Sequence, residues 1–167
     1  CIGLRFFTVY GPWGRPDMAL FKFTKNILED KEIDVYNNGN HSRDFTYVDD
    51  IVEGIYLSSI SKKELIDSNF DSKNPSRSFC KSIIFNLGRG KPENLEDFID
   101  EIENNLGKRA KRNLMPLQPG DVPDTSADIS GLKDFSGYEP KTSIKIGVKN
   151  FIDWYKEYYK VNLWKKF

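Results

Sequence analysis

Apolar residues change period several times along the chain, and each change marks an element. Residues 2 to 10, IGLRFFTVY, are β-branched and aromatic with little charge, which predicts a buried strand stopped by Gly11-Pro12. Met18 to Asp30 carries Leu20, Phe21, Phe23, Ile27 and Leu28 at helical spacing and predicts a helix packed on that strand. Ile33 to Tyr36 reads as a short strand, Asn37 to Asn40 as a turn, and Phe45 to Val48 as another strand. Asp49 or Asp50 can cap a following helix whose Ile51, Val52, Ile55, Tyr56 and Ile60 recur at one-turn intervals. Residues 62 to 81 are polar, with Pro75 and several serines, and read as a surface excursion. Ile83 to Leu87 is a strand, and Asn94 opens a helix with Leu95, Phe98, Ile99, Ile102 and Leu106 inward and Gly107 as its stop. Asn113 to Leu117 suits a last strand before Pro119-Gly120, and from Thr142 a helical face is set by Ile144, Val148, Phe151, Ile152 and Tyr155. Strands alternating with helices predict an α/β or α+β arrangement.

Composition narrows the function classes. With 167 residues, 38% hydrophobic and 14% aromatic, the chain can build a sizeable core. Lys plus Arg and Asp plus Glu both total 25, so no overall field draws the surface to nucleic acid or to an anionic membrane. Any anion site must be local. No apolar run approaches the roughly 20 residues that cross a bilayer, so a soluble protein is expected, and the two cysteines suit a reducing cytoplasm. Cys1 and Cys80, with one histidine, His41, offer neither a disulfide framework nor metal-ligand spacing. A chain opening on Cys1 is expected to be a processed protein or a piece of a longer one.

Candidate chemistry collects at predicted strand ends, where α/β domains place ligand contacts. Arg15 lies between Gly14 and Pro16, in a loop stiffened by proline, which suits a guanidinium gripping a carboxylate or phosphate; the alternative is a solvated loop arginine. Arg43 can bind an anion or pair with Asp44 or Asp49. Asp121, after Gly120, can accept from a ribose diol or simply complete a turn, and Tyr36 can stack on a flat ring or belong to the core. Gly88-Arg89-Gly90 is a turn and too short for a phosphate-binding glycine motif. The chain has no Gly-x-Gly-x-x-Gly, no Walker-type loop and no Tyr-x-x-x-Lys, since Tyr155 is followed four places on by Tyr159. His41, in a polar turn, is the one histidine available to a Ser-His-Asp relay.

Ordered landmarks across the chain, LRFFTVYGP at 4 to 12, SRDFTYVDD at 42 to 50, FNLGRGKP at 85 to 92 and QPGDVPDTSAD at 118 to 128, resemble the carboxyl-terminal part of the extended short-chain dehydrogenase/reductases that act on nucleotide sugars. The variants GPWGRPDMALFKF, VYNNGN and MPLQPGDVP are similar to the branch of UDP-glucuronate 4-epimerases. The resemblance implies the last part of an NAD-binding Rossmann sheet, residues 1–17, and a smaller α/β UDP-sugar-binding domain in 18–167, with some segments returning to the Rossmann part. It implies NAD as cofactor, bound mainly upstream, with Phe7 near the nicotinamide. Thr8 would lie beside the hexose, Arg15 on the C6 carboxylate, Val35 and Tyr36 at the uracil, Arg43 on the pyrophosphate and Asp121 on the ribose. Gln118 stands where many relatives use arginine on phosphate. The family's Ser/Thr and Tyr-x-x-x-Lys catalytic residues would lie upstream, so no catalytic residue is expected in this chain and the fragment alone is expected to be inactive. A UDP-glucuronate decarboxylase, another nucleotide-sugar epimerase or dehydratase, and a non-catalytic nucleotide-binding or interaction module are the alternatives. A homodimer is expected of the full-length enzyme, and self-association through exposed apolar surface of the fragment.

Overall fold

Backbone pairing splits the first apolar run in two. In the computed structural model, which describes residues 1–63, 76 and 82–161, β1 (Ile2–Phe6) runs parallel to β6 (Ile83–Leu87), and β2 (Thr8–Tyr10) runs parallel to β5 (Phe45–Tyr47). Phe7 is the exchange point: its N–H donates to Leu87 O at 3.2 Å, and the next N–H, of Thr8, donates to Asp44 O at 3.2 Å. The chain thus leaves one strand partner and takes another within two residues, and that step joins two bodies of apolar packing. The single buried strand expected over residues 2 to 10 is corrected accordingly. β1 is half-buried because, among the described residues, it has only β6 beside it, and Phe6 stays exposed.

The larger core gathers α1 (Ala19–Leu28), β3 (Glu32–Val35), α3 (Leu95–Leu106) and α5 (Ile144–Tyr158) around Tyr10, Phe45 and Phe98. Phe45 and Phe98 stack with centroids 4.1 Å apart, and Tyr10 meets both rings edge-on. The apolar spacing read in α3 and α5 is the spacing buried here: Phe98, Ile99 and Ile102 on one, Val148, Phe151 and Ile152 on the other. Gly107 ends α3 in the left-handed conformation, at φ 65°. Gly147 of α5 has a steric role, since a Cβ there would lie 2.2 Å from the Tyr10 hydroxyl oxygen. The last strand, β8 (Lys111–Leu114), begins two residues before the apolar run that predicted it, and pairs in parallel with β3.

The smaller core lies under α2 (Val48–Ile60) and α4 (Ser130–Ser136), against β6 and Tyr138. Here the helical pattern misleads. Ile51 is buried, but Val52, Ile55, Tyr56 and Ile60 are exposed. Gly54 and Ser58 complete the packed face instead, because a Cβ at Gly54 would come within 2.8 Å of Leu87 Cδ1 and 3.0 Å of Tyr138 Cε2. Close approach selects the small residues, and the wider apolar stripe faces outward. Asp50 does not cap the helix either: its carboxylate accepts from the N–H groups of Lys141 and Thr142 at 3.3 and 3.0 Å, fastening the entry to α5. The polar stretch 62 to 81 lies mostly outside the described residues. Among those described, no helix is long and apolar enough to cross a membrane.

Between the two cores sits Asp44, fully buried. Its Oδ1 accepts from Thr46 Oγ1 at 3.0 Å and Arg89 N at 2.7 Å, and its Oδ2 from Gly90 N at 2.8 Å and Ala127 N at 3.0 Å. The ion pair allowed between Arg43 and Asp44 is therefore absent, because neighbouring side chains of an extended segment point to opposite faces. We expect Asp44→Ala to cost at least about 3 kcal/mol, since it strands several buried N–H donors. Asn should be no rescue, because its amide presents N–H to N–H. Urea unfolding compared with the exposed-pair variant Asp153→Ala measures this; equal midpoints would contradict it.

Candidate functional site

Two groups of side chains at strand ends form the candidate site. The first is the loop after β2. Gly11, at φ 141°, lets the backbone pass Val48, where a Cβ would meet Val48 Cγ1 at 2.7 Å. The loop then turns twice, through Gly14 N to Gly11 O at 3.3 Å and Met18 N to Arg15 O at 3.2 Å. Trp13 adopts a left-handed φ of 61°, a conformation costing a non-glycine residue about 1–2 kcal/mol. Its ring packs on Trp154 and Tyr158 of α5, with centroids 5.1 and 4.9 Å away, contacts of about 0.5–1.5 kcal/mol each that offset the strain. The loop is thus pinned to α5 before it presents Arg15.

Arg15 is exposed and held by Asp17, with Nε donating to Oδ1 at 3.0 Å and Nη2 to Oδ2 at 2.5 Å. The hydrogen bond to Asp17 raises the guanidinium pKa, and the same bond to Arg15 lowers that of the Asp17 carboxyl. Both ions persist across ordinary pH. Beside them opens a cleft of about 880 Å³ whose lining includes Phe7, Thr8, Pro12, Trp13, Arg15 and Thr125. Tyr10, deeper in the same wall, keeps its proton because burial pushes its hydroxyl pKa well up.

The second group is built on β4 (Ser42–Arg43), which pairs antiparallel with β7 (Glu93–Asn94). Residues 121 to 125 lie along β4 as a strap. Ser42 N donates to Pro123 O at 3.0 Å, Thr125 N to Ser42 O at 3.1 Å, and Ser42 Oγ to Asp124 Oδ1 at 2.6 Å. Arg43 sends Nη1 to Pro123 O at 2.6 Å and Nη2 to Asp121 Oδ1 at 3.0 Å. Through Thr125, which lines the cleft, the strap connects the two groups.

Thr8, Phe7 and Arg15 therefore share one cleft, and Arg43 and Asp121 share one ion pair. Gln118 is exposed and its carbonyl takes Asp121 N at 3.1 Å across a turn with Gly120 at φ 85°. Val35 is fully buried in the larger core, so its side chain offers no surface; its carbonyl accepts Met115 N at 2.9 Å. Tyr36 follows it, half-buried, at the start of a short 3-10 turn, Tyr36–Gly39, with Asn37 and Asn38 left-handed. The sequence reading missed Thr125, Asp44 and the burial of His41. These depend on contacts about 80 residues apart, Asp44 to Ala127 and His41 to Pro123, which local composition does not carry.

Residues 1–66 match the NAD dependent epimerase/dehydratase family. The chain is 54% identical over 161 residues to Protein CapI of Staphylococcus aureus, covering 95% of this chain and 48% of that protein. It is 45% identical over 164 residues to UDP-glucuronate 4-epimerase 1 of Arabidopsis thaliana, 96% of this chain and 37% of that one. Among solved structures, the UDP-glucuronic acid 4-epimerase of Bacillus cereus in complex with UDP-glucuronic acid and NAD superposes with a TM-score of 0.77 at 34% identity, covering 93% of this chain and 45% of that chain. The chain spans about half the length of the curated relatives it matches.

If Arg43 fastens the strap, Arg43→Met should raise amide hydrogen exchange of Val122 and Thr125 by about tenfold, the equivalent of about 1.4 kcal/mol of local opening. Exchange unchanged at those amides would show the backbone bonds to Ser42 to be sufficient.

Proposed function

We propose that the chain, whose residues 1–66 match the NAD dependent epimerase/dehydratase family, belongs to that family and is the substrate-binding, carboxyl-terminal part of a UDP-glucuronate 4-epimerase, interconverting UDP-glucuronate and UDP-galacturonate through a 4-keto sugar. The carrying observation is the Arg15 guanidinium, presented by a pinned loop at the cleft shared with Thr8 and already gripping a carboxylate through two nitrogens. Asp17 stands in for the acid a uronate would bring. The Arg15–Asp17 pair is exposed, and exposed pairs yield readily to a competing carboxylate. Glucose, with a hydroxymethyl group there, gives the fork no anion.

Arg43 serves the pyrophosphate, Asp121 the ribose, Tyr36 and the backbone of Val35 the uracil, with Gln118 supplying a neutral contact. Residues 1–17 belong to the dinucleotide domain. Most of 18–167 forms the sugar-nucleotide domain, while α2, β6 and α4 return to pack on β1, a division supported by the smaller core that includes Ile2 and Leu4. The cleft beside Phe7 is mainly apolar and fits the nicotinamide end of NAD, but the chain has no glycine-rich loop for the phosphates. Bound NAD would supply the hydride acceptor and donor at C4. The proton-transferring tyrosine is assigned to sequence outside this chain.

What these residues contribute is orientation. A 4-keto uronate is a β-keto acid, and it loses CO2 when the carboxylate bond aligns with the carbonyl π system. Arg15 and the Thr8 hydroxyl hold the carboxylate out of that alignment, and the cleft excludes water around it.

The full-length protein should convert UDP-glucuronate to UDP-galacturonate, whereas the 167-residue chain alone should show no turnover. UDP-xylose as the main product would replace the epimerase with a decarboxylase. In the full-length protein Arg15→Ala should raise KM for UDP-glucuronate by at least about tenfold and leave UDP-glucose binding unchanged, as expected for a lost desolvated charge pair. Equal effects on both ligands would remove Arg15 from the carboxylate.

A further inference from the structure

His41 carries an unmet hydrogen-bonding group aimed at the nucleotide end of the site. The residue is 6% exposed, and Nδ1 lies 3.1 Å from Pro123 O. A carbonyl only accepts, so Nδ1 bears the proton. Nε2 is buried with no hydrogen-bond partner, 3.5 Å from Asp121 Oδ2. A neutral ring therefore turns a lone pair toward a carboxylate oxygen, and a doubly protonated ring turns an N–H toward it. Which state holds decides whether Asp121 is pushed or held.

We propose that His41 is a positioning residue for nucleotide binding: protonated, it holds Asp121 in place when a diphosphate draws Arg43 away, so that binding takes up a proton. This rests on Arg43 and Asp121 being the pyrophosphate and ribose contacts proposed above. Without ligand, Asp121 Oδ1 is served by Arg43 Nη2 at 3.0 Å and by Val122 N at 2.9 Å. A diphosphate on Arg43 adds negative charge and removes that partner, and both changes favour the imidazolium. The imidazolium then takes over the carboxylate from Oδ2, and Oδ1, still held by Val122 N, has the lone pair vacated by Arg43 for a ribose hydroxyl.

The charged groups on the elements packed around His41 fit this role. The strap brings Asp121 and Asp124, and β4 brings Arg43. Glu93 of β7 is tied to Arg89, and Glu96, beside Gly39 at the start of α3, to Arg112. The backbone of His41 is fixed, since its carbonyl accepts Leu95 N at 2.9 Å and its N–H reaches Gly39 O at 2.8 Å.

By reciprocity, if the nucleotide favours the protonated ring, protonation favours the nucleotide, and affinity falls as pH rises. Calorimetry of the full-length protein with UDP-glucose, whose diphosphate has no group titrating near neutrality, tests this in buffers of different ionisation enthalpy. Wild type should take up a net fraction of a proton near pH 7 and lose about tenfold in affinity from pH 6 to pH 8, an ordinary size for a coupling between two sites. His41→Gln, which keeps a donor for Asp121 but cannot titrate, should bind with flat pH dependence and no uptake. His41→Leu should bind about tenfold more weakly throughout. Wild type binding without proton uptake, or uptake equal in wild type and His41→Gln, overturns the proposal. Failure of wild type to bind UDP-glucose at any pH overturns the nucleotide assignment of Arg43 and Asp121, and this inference with it.

Discussion

A single buried carboxylate holds the site's parts together. Asp44 accepts from Thr46, Arg89, Gly90 and Ala127, so one side chain fixes the start of β5, the turn after β6 and the segment leading out of the strap. A buried charge is tolerated only where donors surround it, and here three of the four are backbone N–H groups that would otherwise be orphaned by a tight turn. The Asp44 carbonyl meanwhile takes Thr8 N, at the point where the first strand changes partners. Cleft, strap and strand exchange are therefore placed relative to one another by atoms of one residue. Gly88 shows how close the arrangement is, since a Cβ there would come within 3.1 Å of Asp44 Oδ1 and 2.7 Å of the Ala127 methyl.

Above that fixed point the polar groups of the strap are shared rather than owned. Pro123 O receives Ser42 N, His41 Nδ1 and Arg43 Nη1, more donors than a carbonyl has lone pairs. Arg43 also reaches Ser42 O at 3.1 Å and Asp121 Oδ1 at 3.0 Å. Its guanidinium is fixed by these acceptors but not saturated, since a guanidinium carries five N–H donors.

Local physics made much of the fold legible. Helices α3 and α5 keep the spacing, and α3 the glycine stop, that predicted them, because their apolar faces are continuous and meet each other. The α2 pattern failed for a physical reason: backbone approach to Tyr138 and Leu87 chose Gly54 and Ser58, and hydrophobicity alone cannot rank a glycine above an isoleucine. Helix α4 escaped because its seven residues contain only Leu132 as a buried anchor. The exposed, turn-borne positions of Arg15, Gln118 and Asp121 could be read from Gly and Pro punctuation, which carries no information about what they bind. His41 and Asp44 could not. Both lie in a polar stretch whose burial is created by residues 123 to 127, and a window along the chain contains no trace of that contact.

The Arg15–Asp17 pair shows how a loop can be stiff and yet receptive. Proline, the two turns and the Trp13 stack on α5 remove backbone freedom that a free arginine would lose on binding. Asp17 removes side-chain freedom too, by holding the guanidinium as a planar fork, but it does so from a solvent-exposed position where the attraction is screened. If Arg15 receives a uronate as proposed, a carboxylate that excludes water from the cleft would meet the same fork with less screening, and the exchange of acids would favour the ligand without any movement of the loop. A hydroxymethyl group cannot drive that exchange, because it carries no charge to compensate for leaving Asp17 unpaired. On the proposed uronate reading, selectivity for an acid over an alcohol would follow from the internal competitor as much as from the arginine.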